Sequence, residues 1–189
     1  MRITKCLYRA IGAAIAIVLM EALAQWAGEP LVRVPFVTSI VLTLGIPESE
    51  AAQPYAVVAG HLLSTFAGFA SLWCLGTGTT PAAVGVGVAA LLMLSARAVH
   101  PPAGIDGFLV PLLGLPLGWT VKPVLIGAVL LALFAKLWSR GERLLLRGPA
   151  HRPGPAEAAT TNDKEQFHEM LCAYRDSLPK ARLTRSQSG

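Results

Sequence analysis

Charge is what the middle of this chain lacks. Only 14% of its 189 residues are Asp, Glu, Lys or Arg, against about 25% in ordinary soluble domains. Those few crowd into the first nine residues and into the stretch after Trp138. With 53% hydrophobic residues and a mean hydropathy of +0.55, the distribution is that of a membrane-embedded body with wet ends. The net charge of +5 is not a nucleic-acid footprint, because the basic residues lie in the tails and at the edges of apolar runs, where cytoplasmic flanks hold them. Cysteine is scarce too. Cys6, Cys74 and Cys172 are too few and too far apart for a disulfide framework or a metal knuckle. Also missing are a Walker loop, a dinucleotide fingerprint, a zinc-protease signature and a nucleophile elbow, and no two histidines stand four residues apart. The sequence therefore predicts no enzyme, no cofactor, no metal site and no nucleic-acid partner.

What is there is a series of apolar runs. Ala10 to Gly28 follows Arg2, Lys5 and Arg9, and its 19 residues make about 28 Å of helix, close to the ~30 Å hydrocarbon core. The basic flank puts the N-terminus in the cytoplasm. A signal peptide cleaved after "ALA" at 22–24 would share this pattern, but Glu21 beside the site and the apolar chain downstream favour an uncleaved span. Pro54 to Gly76 is a second full crossing, with Pro54 suited to a first helical turn and Trp73 to an interface. Positions 82–96 form a third, rich in small residues, and Trp119 to Trp138 a fourth, closed by an arginine-rich stretch that acts as a cytoplasmic stop. Two runs, 34–46 and 103–118, are shorter and broken by glycine or proline, which suits re-entrant segments or short helices buried among others. The expected fold is an all-α polytopic membrane protein of four full transmembrane helices and two short broken or re-entrant segments. A cytoplasmic flank covers residues 1–9, the transmembrane domain 10–139, and a polar, partly disordered cytoplasmic tail 140–189.

The short runs match each other. Pro35 opens one and Pro102 the other; "LGIP" closes one at Pro47 and "LGLP" the other at Pro116; Pro54 and Pro123 then open long spans that end near Trp73 and Trp138. This predicts an internal repeat, 10–76 and 82–139. Short interrupted segments in corresponding positions of two halves are what transporters use to expose helix ends at mid-membrane depth. If the short segments cross, the halves are inverted; if they turn back, the halves are parallel. Both schemes return the C-terminus to the cytoplasm.

The polar residues within the apolar body are the candidate path. "RAVHPPAGIDGF", 97–108, puts His100 before Pro101 and Pro102 and Asp106 in the first turn after them, where exposed helix amides stabilise a carboxylate. Gly104 and Gly107 permit close helix approach. His61 lies inside the second full span and Glu21 inside the first. A charge within lipid costs about 2.5–3.5 kcal/mol even on insertion scales, so such groups face a cavity or a partner. Ser39, Thr38 and Gln53 extend the lining. These residues point to a small-solute or ion transporter or channel in the bacterial inner membrane. The rival readings are a structural or regulatory membrane protein and a subunit handling protons or a quinone through Glu21, His61 and His100. The expected partners are the lipid bilayer, a small ion or solute, and a second copy of the chain.

The motifs "HPPAGIDGF" and "PFVTSIVLTLGIPESEAAQPYAVVAGH" resemble the HPP family of small integral membrane proteins, named for a His-Pro-Pro motif matched by His100, Pro101 and Pro102. The Pro35–Phe36, Gln53–Pro54 and Gly60–His61 pairs also fit the family pattern, and the resemblance covers about Ala10 to Trp138. It implies four transmembrane spans and, by analogy with some photosynthetic members, transport of nitrite or another small anion. The chain departs from the pattern at Val37, Tyr55, Ala56 and Asp106. Tyr55 replaces a basic residue and Asp106 a small hydroxyl one, changes that do not suit an anion pathway.

Overall fold

The computed structural model describes residues 2–28 and 36–146; Pro35 and the polar tail from 147 on lie outside them, and residues 140–145, expected in that tail, belong to the last helix. Six α-helices carry the fold: α1 (Arg2–Ala27), α2 (Val37–Gly45), α3 (Pro54–Leu75), α4 (Thr79–Ser95), α5 (Gly104–Leu113) and α6 (Ile126–Leu145). Short 3-10 turns at Glu50–Ala52, Pro101–Ala103 and Leu117–Thr120 precede α3, α5 and the turn into α6. There is no strand among the described residues. Three stretches are long and apolar enough to cross a bilayer: Ile3–Trp26, Pro54–Leu75 and Leu117–Leu145. The 17 residues of α4 reach about 26 Å, whereas α2 and α5, with 9 and 10 residues, reach only about 15 Å, half a hydrocarbon core.

The local sequence explains the breaks. Pro54 occupies the first turn of α3, where its missing amide costs nothing. Gly114 ends α5 in the left-handed conformation, φ +61°. Past α4 the chain turns through Arg97, a non-glycine residue at φ +51°, at a cost of about 1–2 kcal/mol. That turn delivers His100 to the protein interior. Pro111 lies inside α5 and leaves the carbonyl of Gly107 without its helical donor; this carbonyl lies against Gly85 of α4.

The outside is greasier than much of the inside. Val18, Trp73, Leu91, Leu94, Leu133 and Leu137 are exposed, while Ser39, Thr43, His61, Ser64, Thr65, His100 and Asp106 are buried. This inversion is what a lipid solvent demands, since polar groups must find partners within the protein.

Hydrogen bonds sort the helix ends into two sets. At one end, Arg9 near the start of α1 binds the Glu142 carboxylate near the end of α6 (2.8 and 2.9 Å), the Gly45 carbonyl closing α2 (2.9 Å) and Glu48 (2.6 Å). At this end too, Tyr55 at the start of α3 donates to the Ala96 carbonyl at the end of α4 (3.1 Å). At the other end, the amide of Gly78, between α3 and α4, donates to the Pro111 carbonyl of α5 (3.0 Å). Lys122, before α6, lies 3.7 Å from the ring centroid of Trp26 near the end of α1. Thus α2 runs from the interior to the first end, and α5 from the interior to the second.

The principal helix neighbours are α1 with α2 and α6, α2 with α6, α3 with α4, α5 and α6, and α4 with α5. The α3–α4–α5 group is the tightest, because Gly68, Gly85 and Gly107 meet there. A β-carbon on Gly68 would lie 2.9 Å from Val110 Cβ, and one on Gly107 would lie 3.0 Å from the Gly85 oxygen. Small residues let backbones touch in lipid, where packing rather than hydrophobicity drives association. Gly107 lies at such a close approach. Gly104 does not, since a β-carbon there would meet nothing within 4 Å.

Candidate functional site

Four of the residues singled out by sequence converge in the interior. The His61 Nδ1 lies 2.7 Å from Asp106 Oδ2, and its Nε2 lies 3.0 Å from the Ser39 hydroxyl. On the other side of Ser39, His100 Nε2 stands 2.9 Å away, and His100 Nδ1 is 2.6 Å from the Ala51 carbonyl. The result is an unbroken line, Asp106–His61–Ser39–His100–Ala51, drawn from the first turns of α2 and α5, the body of α3 and the His-Pro-Pro turn. Ser39, His61, His100 and Asp106 are all 0% exposed.

Neighbouring groups hold this line in place. Thr65, one turn beyond His61, donates to the His61 carbonyl at 2.7 Å and reaches Asp106 Oδ2 at 3.4 Å. Ser64 accepts the backbone amide of Gly107 at 3.0 Å, fixing the first turn of α5 against α3. Phe36 packs on His61, ring centroids 4.8 Å apart, and the two imidazoles lie 5.2 Å apart. Gly60 is required here, because a β-carbon on it would come within 2.8 Å of His100 Cβ. All four ring nitrogens are engaged, which leaves none free to ligate a metal. Asp106 Oδ1 is buried without a hydrogen-bond partner.

The other candidates lie elsewhere. Glu21 stays on α1, half-buried, accepting from Gln25 one turn on at 3.1 Å. Gln53 sits exposed before α3 and donates to the carbonyls of Pro47 (3.3 Å) and Ser49 (3.1 Å). Thr38 is exposed. Pro47 and Pro116 follow the short helices at opposite ends of the bundle, and Pro123 is buried in the turn before α6. Ser64, Thr65 and Thr43 were not singled out by sequence. Thr65 was findable, being four residues after His61 on the same helical face. From the first end a cleft of about 220 Å³ enters between the α2–α3 turn and α6. Thr43, Gln53, Lys136, Ser139 and Arg143 are among its lining residues. Thr43 donates to the Ser39 carbonyl at 2.8 Å, so the cleft reaches to one helical turn from the buried line.

Long apolar helices, a lipid-facing exterior and a polar interior define a polytopic helical membrane protein. The pattern described as "HPP, transmembrane region" matches residues 1–144, and the chain belongs to the HPP family. It is 29% identical over 109 residues to a transmembrane protein of Dictyostelium discoideum, a match covering 53% of this chain and 38% of that protein. The chain thus spans well under half the length of that relative. No solved structure matches the chain.

Proposed function

We propose that this protein is a small-solute or ion transporter made of two inverted copies of one three-helix unit, with the buried Asp106–His61–Ser39–His100 line at its centre. The observation that carries the reading is the way the helix contacts behave under exchange of halves. Replacing α1 by α4, α2 by α5 and α3 by α6, and the reverse, maps the set of principal helix contacts onto itself. Within it the two short helices run from the interior to opposite ends, as inverted repeats require, and their first turns face the same buried groups. On this reading α4 is the fourth full span, and α2 and α5, with the chain leading into them, complete the crossings of each half.

The basic residues Arg2, Lys5, Arg9, Arg140 and Arg143 lie toward the end shared by the start of α1 and the end of α6. Both termini are then cytoplasmic in a bacterial inner membrane by the positive-inside rule. The 220 Å³ cleft opens toward that side and the buried line is closed to both, an occluded arrangement. Nitrite or another small anion, the cargo implied by some relatives, fits this centre poorly because Asp106 occupies it.

The order Asp106–His61–Ser39 is also that of a hydrolase triad. Ser39 lies between two imidazoles with no exposed surface, leaving an acyl group no place to reach it. A transport role accounts better for the membrane depth and the symmetry. Uptake by proteoliposomes across nitrite, nitrate, potassium, sodium and an imposed pH gradient tests the reading. Flux of at least one solute above protein-free liposomes supports it; none in either orientation assigns the protein to structural or regulatory work.

A further inference from the structure

We propose that the buried line is a site for one mobile proton and that this proton is the coupling ion of transport. The argument is a count of hydrogens. Four contacts link Ala51, His100, Ser39, His61 and Asp106, and each needs one proton between its two heavy atoms. Two neutral imidazoles and one hydroxyl supply three. The Ala51 carbonyl only accepts, and an ionised Asp106 only accepts, so with both ends accepting one contact faces two lone pairs. A fourth proton completes the line and makes its net charge zero.

That proton has three places to be, each with all four contacts made. It can sit on Asp106, which then donates to His61 Nδ1, while His61 Nε2 donates to Ser39 and Ser39 to His100. It can sit on His61 as imidazolium facing the carboxylate, with the hydroxyl pointing the same way. It can sit on His100, when the Ser39 hydroxyl turns to donate to His61 Nε2. Ser39 is thus a switch, and its reversal carries the proton from the start of α5 to the turn beside Ala51. Ala52, the next residue, lines the cleft of the first end. Losing the proton would leave a net negative charge in a site where Asp106 Oδ1 has no partner, an expensive state away from water.

Among the described residues no other ionisable group faces the line, Glu50 beside Ala51 and Arg97 before His100 being exposed. Helices α2 and α4 contain none, α5 contains only Asp106, and α3 adds only Tyr55 and Cys74 near its two ends. The ionisable groups of α6 lie toward the first end, among them Lys136 and Arg143 in the cleft and Glu142 on Arg9.

The coupling half of the proposal rests on the transport reading; the one-proton site does not. The test uses the purified full-length protein with 15N-labelled histidine, following both imidazoles by NMR and the Asp106 carboxyl by infrared difference against Asp106→Asn. An asparagine amide can donate to His61 Nδ1, so that variant completes the line without the extra proton and keeps the fold. The expected result is either a protonated Asp106 or one imidazolium at neutral pH, with loss of a single proton as pH rises and no such loss in Asp106→Asn. Ser39→Ala should separate the two histidines into independent titrations. Two neutral histidines beside an ionised Asp106 at every pH where the protein is folded would overturn the site. Proteoliposomes holding a pH-sensitive dye then receive an inward-negative potassium diffusion potential together with any solute found to move. Solute-dependent proton entry should fall at least tenfold in Asp106→Asn. A one-proton site with solute flux but equal proton entry in both proteins overturns the coupling alone. A one-proton site with no flux of any kind overturns the transport reading and leaves the site standing.

Discussion

The helix pairs α3–α4 and α6–α1, which the proposed exchange of halves interchanges, are packed in different ways. Between α3 and α4 the backbones touch through Gly68 and Gly85, with Gly107 of α5 wedged against both. Between α1 and α6 the portion near the first end is closed by Tyr8 on Trp138, centroids 4.6 Å apart, but beyond it Leu19, Met20, Leu130, Leu133, Phe134 and Leu137 line an apolar groove of about 310 Å³. The chemistry divides likewise. His61, Ser64 and Thr65 lie within α3, whereas the buried residues of α6 are Gly127, Ala128, Leu131, Ala132 and Ala135, with Glu142 only near its end. One arrangement of helices therefore supports two uses: a rigid wedge that holds polar groups in register, and a looser flank presented to lipid.

Breaking the wedge should have the largest effect. Gly85→Leu drives a side chain into the Gly107 carbonyl, a backbone clash that cannot be relieved by a rotamer change. It should cost about 3 kcal/mol or more, read as loss of a monodisperse species on size exclusion in detergent. The matched enlargement on the loose flank, Leu133→Phe, should stay within about 0.5 kcal/mol. Next comes Asp106→Ala, which leaves the buried His61 Nδ1 without a partner; an unsatisfied buried polar group costs about 1–3 kcal/mol, and Asp106→Asn should recover most of it in thermal unfolding. Arg9→Ala should cost about 2 kcal/mol, because the Glu142 side chain, 9% exposed, loses two charge-assisted hydrogen bonds. Arg9→Lys should restore only part, an ammonium being unable to bind the carboxylate through two parallel donors. The smallest effect is at Glu48. The Arg9 guanidinium holds this exposed carboxylate below its ordinary value of 4.5, so its contribution is present above that pH and declines as pH falls through the folded value. Glu48→Gln should lower the melting temperature slightly at pH 7, flatten that acid limb, and change nothing below the folded value.

The sequence made the polar centre legible because lipid narrows the choices. A histidine within an apolar span and an aspartate in the first turn of a broken segment each need a partner, and His61 and Asp106 partner each other. Ser39 was legible as a hydroxyl at the same depth, and His100 as the residue held at a turn by two prolines. Glu21 satisfies the same criterion but lies apart, since that face of α1 is half-exposed and Gln25 meets the carboxylate locally. Nothing local announces that Arg9 will meet Glu142, 133 residues away. Nor could spacing tell Gly104 from Gly107: the pattern marks two small residues, and only the position of α4 decides which is pressed against a neighbour. The direction in which α2 and α5 run also depends on contacts between distant ends, and positive charge in the loops barely discriminates the two schemes.

That direction is the point on which the account stands, and labelling from the two sides of the membrane tests it. After replacement of Cys6, Cys74 and Cys172 by Ser, single cysteines at Glu48, after α2, and at Gly118, after α5, are challenged in intact cells and inside-out vesicles with a membrane-impermeant maleimide. The inverted arrangement predicts that Glu48→Cys reacts only in inside-out vesicles and Gly118→Cys only in intact cells. Reaction of both from the same side would contradict it, returning α2 and α5 to re-entrant segments of two parallel halves.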